Sequence, residues 1–213
     1  MIDVFLHLDT YVGLLVEQYG VLTYAILFLI IFAETGLVIA PFLPGDSLLF
    51  TVGAFAGSGS LNIVILLPLF LVAAVLGDAT NYWIGGRAGE KILASNRFIK
   101  ESHIEKTKRF YTRWGGRAIV MARFIPIVRT VAPFIAGVAH MPYERFTLFN
   151  VIGAFLWVPV FLGAGYFFGA IPAIQDNFGL VILGVIMLSI TPGIIEVIRA
   201  RREALEENTS IHS

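Results

Sequence analysis

Four ionisable side chains stand inside apolar stretches of this chain: Glu34 and Asp46 in one, Arg123 and Arg129 in another. A charge placed in hydrocarbon costs at least about 2.5–3.5 kcal/mol on insertion scales, so such groups turn inward and pair. One segment is acidic and the other basic, so their approach would neutralise four costly groups at once. Two guanidiniums suit phosphate, because a planar fork donates two parallel hydrogen bonds where lysine is a point charge. Two desolvated carboxyl groups are candidates for proton exchange. Arg123 and Arg129 would face about 120° apart on an unbroken helix, and a break at Pro126 is what would turn both into one cavity. Plainer readings compete at each position. Asp46 follows Pro44-Gly45 and precedes Ser47, where it also fits a helix cap. Glu34 also fits a lone structural partner for one arginine. Arg129 could snorkel to headgroups, although its place between Pro126 and Pro133 argues against that.

Asp78 and Asn81 lie near the end of a further apolar segment, in Gly77-Asp78-x-x-Asn81-Tyr82. They suit structural hydrogen bonding first, substrate or proton access second. Tyr82, Trp83, Trp114 and Tyr143 read as interface markers. Gly85-Gly86-x-x-Gly89 lacks the βαβ context of a dinucleotide site. Cysteine is absent, and His7, His103, His140 and His212 have no metal-binding spacing, so neither a metal nor any other cofactor is expected. Nothing points to nucleic acid.

The elements that hold these residues must be membrane helices. Of 213 residues, 57% are hydrophobic and 14% charged, whereas a soluble domain needs about 25% charged residues to cover its surface. Residues 1–20 mix acids with Phe5, Leu8, Leu14 and Leu15, as an amphipathic interfacial helix does. Apolar runs follow at Val21–Ala33, Leu61–Ile84, Phe146–Phe168 and Gly179–Ile198. Two others, Glu34–Gly57 and Ala118–Met141, are broken by Pro41, Pro44 and Gly45 and by Pro126 and Pro133. Their arms of about 10–12 residues cannot cross about 30 Å of hydrocarbon, so they read as re-entrant hairpins. Broken segments at matching places in two halves, entering from opposite faces, mark an inverted-repeat transporter.

Segment 87–117 carries nine basic residues against three acids, and Arg199, Arg201 and Arg202 follow the last span. The connectors at 58–60 and 172–178 have no Lys or Arg. The positive-inside rule puts the basic segment and the C-terminus in the cytoplasm and the two neutral connectors outside, and the expected topology has the N-terminus cytoplasmic as well. Within that segment Ser102-x-x-Glu105 reads as a capping box. The expected fold is an all-α integral membrane protein. It has about four full spans, two oppositely entering hairpins (about 34–57 and 118–141) and interfacial helices. A single transporter domain occupies 21–200, with a cytoplasmic tail over 201–213.

At these residues the chain resembles the DedA family of bacterial membrane proteins, also called the SNARE-associated or VTT-domain family. Four pieces carry the resemblance, over roughly residues 15–200. They are Glu34 followed by Pro41-x-x-Pro44-Gly45-Asp46; Gly77-Asp78-x-x-x-Tyr82-x-x-Gly85-Gly86-Arg87-x-Gly89; Arg123-Phe124-x-Pro126-x-x-Arg129; and Asn150-x-x-Gly153-x-x-x-Trp157. The resemblance implies a proton-motive-force-dependent carrier in the bacterial inner membrane. Its cargo would be undecaprenyl phosphate or another phospholipid, with effects on envelope integrity and pH tolerance. It implies that Glu34 and Asp46 are the essential acids and Arg123 and Arg129 the essential arginines. Family members often carry Glu where this chain has Asp46.

The leading expectation is therefore a lipid-phosphate flippase rather than an enzyme. In it Arg123 and Arg129 hold the phosphate, and Glu34 and Asp46 couple to protons. Asp78, Asn81, Pro44, Gly45, Pro126 and Asn150 support them. Its partners are the lipid phosphate, protons and membrane lipids, and self-association stays open. One rival is a proton or small-cation antiporter with structural arginines. A lipid phosphatase is a weaker rival, because His140 and Glu144 have no evident nucleophile beside them.

Overall fold

A computed structural model describes residues 8–37, 45–95, 115–169, 171–175, 178–181, 183–184 and 187. Among these the chain is all α, with no strand. The helices with defined bounds are, in order, α1 Leu8–Tyr19, α2 Leu22–Gly36, α3 Gly45–Gly57, α4 Ile63–Ser95, α5 Arg117–Ala122, α6 Pro126–Val138, α7 Tyr143–Phe168 and α8 Pro172–Gln175, and the described residues from 178 to 187 are helical too.

Among the described residues, two helices are long and apolar enough to cross a membrane: the 25 residues Ile63–Arg87 of α4 and the 26 of α7. At 1.5 Å per residue each spans about 38 Å, more than the hydrocarbon core. α3 and α6 have 13 residues each, about 20 Å by the same rise. Neither is long enough to cross alone.

The short helices α3 and α6 pack chiefly on the long helix of the other half. α3 lies on α7, and α6 lies on α4. α2 also packs on α4, α5 on α7, and the two long helices on each other. Exchanging α2, α3 and α4 with α5, α6 and α7 maps this set of contacts onto itself. Glycine permits the close crossings. A Cβ on Gly85 of α4 would overlap the Phe134 carbonyl of α6, and one on Gly137 would overlap the Tyr82 carbonyl. On the other side, Gly53 and Gly57 of α3 meet the Leu162 and Tyr166 carbonyls of α7, and Gly165 meets Phe50. Small residues of this kind let helix backbones approach closely where no hydrophobic effect drives them together.

Polarity runs from inside to outside. On α7, Asn150, Gly153 and Trp157 are buried, while Leu148, Phe155 and Val160 are more than half exposed. On α4, Asp78 and Asn81 are buried and Val64, Val72 and Leu76 face out. An apolar exterior over buried charged and amide side chains suits lipid.

Several boundaries differ from the sequence expectation, each for a physical reason. α2 does not stop at Ala33. It runs through Glu34 to Gly36, because Glu34 is buried against a partner rather than exposed to lipid. α4 does not end at Ile84. Gly85 and Gly86 serve its crossing with α6, and the helix continues to Ser95, into the segment read as a polar connector. Pro133 does not break the second hairpin. It lies inside α6, and the interruption falls at 123–125 instead. α1 buries Leu8 and Val12, and Thr23 Oγ1 donates to the Leu15 carbonyl at 2.8 Å, tying α1 to α2. Tyr82 is more than an interface marker. Its ring stacks on Phe146 at 4.5 Å and its hydroxyl donates to the Met141 carbonyl. Pro41, Pro44, Trp114, the Ser102–Glu105 pair and most of 179–198 lie outside the described residues.

Candidate functional site

The two helix interruptions bring the buried charges together. Ile125, preceding a proline, is extended at φ −119° and ψ 106°, as a residue before proline prefers. Pro126 then opens α6 at its first position, where its missing N–H costs nothing. Arg123 closes the end of α5 and Arg129 lies in the first turn of α6, on either side of this bend. Both guanidiniums reach the same indole: Arg129 lies 4.8 Å from the Trp157 ring centroid and Arg123 5.7 Å.

Arg129 is held between two carboxylates. Its Nη1 donates to Asp46 Oδ1 at 2.7 Å, and its Nη2 is in direct contact with Glu34 Oε1. Asp46 is the second residue of α3, not the residue before it. There the positive end of the helix dipole favours a carboxylate. The same Oδ1 accepts a hydrogen bond from Trp157 Nε1 at 2.7 Å. Among the described residues, Glu34 Oε2 is buried without a hydrogen-bond partner. Gly45 closes over this contact. A Cβ there would stand 2.6 Å from Arg129 Nη2 and 2.7 Å from Glu34 Oε2.

Arg123 has a different set of partners. Its Nη2 donates to Asp78 Oδ2 at 2.5 Å and to Asn150 Oδ1 at 2.6 Å. Asn150 Nδ2 in turn donates to the Val75 carbonyl at 3.0 Å. Gly153 makes room for the side chain, since a Cβ would lie 3.0 Å from Arg123 Nε. Thus the acids of the first broken segment engage one arginine rather than both. The other is met by Asp78 from the middle of α4, because the bend at 123–125 turns Arg123 toward the α4–α7 crossing. Asn81 serves the framework: its Nδ2 donates to the Thr130 carbonyl at 2.7 Å and the Thr35 carbonyl at 3.3 Å. Pro44 lies outside the described residues.

Stability alone does not account for such a cluster. A buried ion pair roughly breaks even against a well-packed apolar replacement. Glu34 and Arg123 are each 4% exposed or less, and three carboxylates face two guanidiniums. Groups this expensive, gathered beside a helix interruption, make this cluster the candidate functional site.

Trp157 is the residue that sequence reasoning left without a role. It is 1% exposed, touches both arginines and donates to Asp46. Its signal was the spacing of Asn150, Gly153 and Trp157, which puts all three on one face of α7.

The VTT domain matches residues 43–167. The chain is 53% identical to Protein DedA of Escherichia coli K12 over 208 residues, 96% of this chain and 95% of that protein. It is 40% identical to Uncharacterized membrane protein Rv0364 of Mycobacterium tuberculosis H37Rv over 183 residues, 83% of this chain and 80% of that one. Against Inner membrane protein YqjA of Escherichia coli K12 the identity is 35% over 151 residues, 70% and 69% of the two chains. No solved structure matches.

Proposed function

The chain belongs to the DedA, or VTT-domain, family of membrane proteins, and from that premise we propose that it is a proton-motive-force-dependent lipid-phosphate translocase. It would return undecaprenyl phosphate or a phospholipid across the bacterial inner membrane. The observation that carries this reading is Arg129, buried between Glu34 and Asp46 at the junction of three short helices.

A guanidinium donating to two carboxylates is in the geometry it would use for one phosphate. The carboxylates and a phosphate headgroup therefore compete for it. In the proposed cycle a proton from the acidic side neutralises Glu34, one edge of Arg129 comes free, and the phosphate takes that edge. Arg123 adds a second guanidinium across the Trp157 ring, and the apolar tail stays in lipid. Release of the proton on the other side restores the carboxylate, which displaces the phosphate. Asp46 is the second proton-coupling acid, with Asp78, Asn81, Asn150, Gly45, Pro44 and Pro126 shaping the site.

The architecture that fits this cycle is one domain over about 21–200 with four full spans and two re-entrant hairpins entering from opposite faces. Both termini are cytoplasmic on this reading. Its support is the 13-residue length of α3 and α6 and the exchange symmetry of their packing. The chain has no cysteine, so single cysteines test it directly. Those near Pro44 should label only from outside or not at all, and those near Val128 only from the cytoplasm. Labelling of 43–46 from the cytoplasm in the resting protein would refute the inverted hairpins.

The excess of one carboxylate over guanidinium favours a second reading, a proton or small-cation antiporter. Purified protein in liposomes separates the two. Translocation of a labelled lipid phosphate driven by a pH gradient supports the first. Cation-coupled proton flux indifferent to lipid phosphate supports the second.

A further inference from the structure

Trp157 makes three contacts that no single structural purpose requires. Its N–H meets the same Asp46 oxygen that Arg129 uses, both at 2.7 Å. Its ring underlies Arg129 and Arg123 at 4.8 and 5.7 Å. An indole N–H only donates, so it serves a carboxylate oxygen and competes with nothing for a proton. Among the described residues Glu34 has no such tie, and its Oε2 stands buried and unbonded. The two acids on Arg129 therefore differ in what releases them. Among the described residues, the charged groups of this cluster are Glu34 from α2, Asp46 from α3, Asp78 from α4, Arg123 after α5 and Arg129 from α6.

We propose that Trp157 is a positioning residue that locks Asp46 onto Arg129 and links that arginine to Arg123, so that Glu34 lets go first and the phosphate enters on the Glu34 edge. The proposal rests on the lipid-phosphate reading for its ligand, and on the indole contacts alone for the lock. The ring face holds both guanidiniums by cation–π attraction, which is strongest where water is excluded. A phosphate that draws Arg129 away must lift it from the ring and loosen Asp46, and Arg123 on the same ring responds. One side chain thus reports and transmits the state of both arginines.

The test uses the full chain carrying Trp83→Phe and Trp114→Phe, which leaves Trp157 as its one indole among three tryptophans. Emission of Trp157 is compared with and without Asp46→Ala, in the absence of lipid, and then during titration with farnesyl phosphate. The lock predicts a clear shift of emission in Asp46→Ala, and a shift on adding farnesyl phosphate that Arg129→Lys abolishes. Trp157→Phe, in the otherwise native chain, keeps an aromatic face and loses the N–H. It should bind farnesyl phosphate more tightly, by about tenfold, the size of one hydrogen bond to a charged group. It should translocate more slowly, with a flattened pH profile, because Asp46 now releases together with Glu34. Emission indifferent to Asp46→Ala would overturn the lock. So would a Trp157→Phe protein with native affinity and a native pH profile. If Asp46→Ala shifts emission but the native protein never takes farnesyl phosphate, the lipid-phosphate reading fails while the lock itself is supported.

Discussion

The two buried arginines sit on one indole yet live in different mechanical settings. Arg123 is met by Asp78 and Asn150, from the middles of the two long helices. Arg129 is met by Glu34 and Asp46, from the ends of short helices beside interruptions. The first cluster fastens the crossing of α4 and α7. The second joins α2, α3 and α6, shorter helices that each pack on one of the long ones. In the proposed cycle the Arg129 cluster therefore opens first, and Arg123 joins from a cluster fastened to both long helices.

The largest expected effect comes from breaking the fastened cluster. Asp78→Ala leaves Arg123 buried and unpaired, and removal of one partner of a buried pair costs about 3–5 kcal/mol. Thermal unfolding in detergent should show that loss, and Asp78→Leu combined with Arg123→Met should recover most of it. A stable Asp78→Ala protein would place Arg123 among the exchangeable groups instead.

Next in size is the asymmetry of lysine replacement. Arg129 uses both Nη atoms on separate carboxylates, whereas Arg123 serves Asp78 and Asn150 from one Nη2. Lysine keeps the charge and loses the fork. Arg129→Lys should therefore cut lipid-phosphate translocation by about 100-fold, nearly as far as Ala, because two directed contacts to charged groups are lost. Arg123→Lys should lose about tenfold, one such contact. Equal losses would erase the distinction between the clusters.

Glu34→Gln sharpens it further. The amide keeps the shape and one acceptor but takes up no proton, so binding of lipid phosphate should persist while its response to a pH gradient disappears. Asp46→Asn should be milder, because the amide oxygen can still accept from Trp157 and Arg129. Proton-driven translocation in proteoliposomes, with binding measured separately, decides between them. Normal pH dependence in Glu34→Gln would make Glu34 a structural counter-ion. The smallest effect belongs to Gly45→Ala. Its methyl would press on Arg129 Nη2 and Glu34 Oε2 at 2.6 and 2.7 Å, so translocation should slow by a few-fold with the fold retained.

Much of this was legible from residue types. The apolar composition dictates a membrane protein, since too few charged residues exist to cover a wet surface. The cost of charge in hydrocarbon singles out Glu34, Asp46, Arg123 and Arg129 before any coordinate is known. Helix ends were less legible. Pro133 and Gly85 look like breaks in a linear reading, yet both lie inside helices, where packing against a neighbouring backbone outweighs local propensity. Glu34 looked like an interruption for the same reason: its partner is nearly a hundred residues away in the chain.

Which charges had to be buried was therefore a matter of sequence, because transfer cost depends on the side chain alone. Which carboxylate meets which arginine was not. Asp78 and Asn150 take Arg123, and Trp157 joins its neighbour to Asp46, only because α4 and α7 cross where they do and the chain bends at Ile125. Pairing depends on distance in space, and the tertiary fold alone sets that distance.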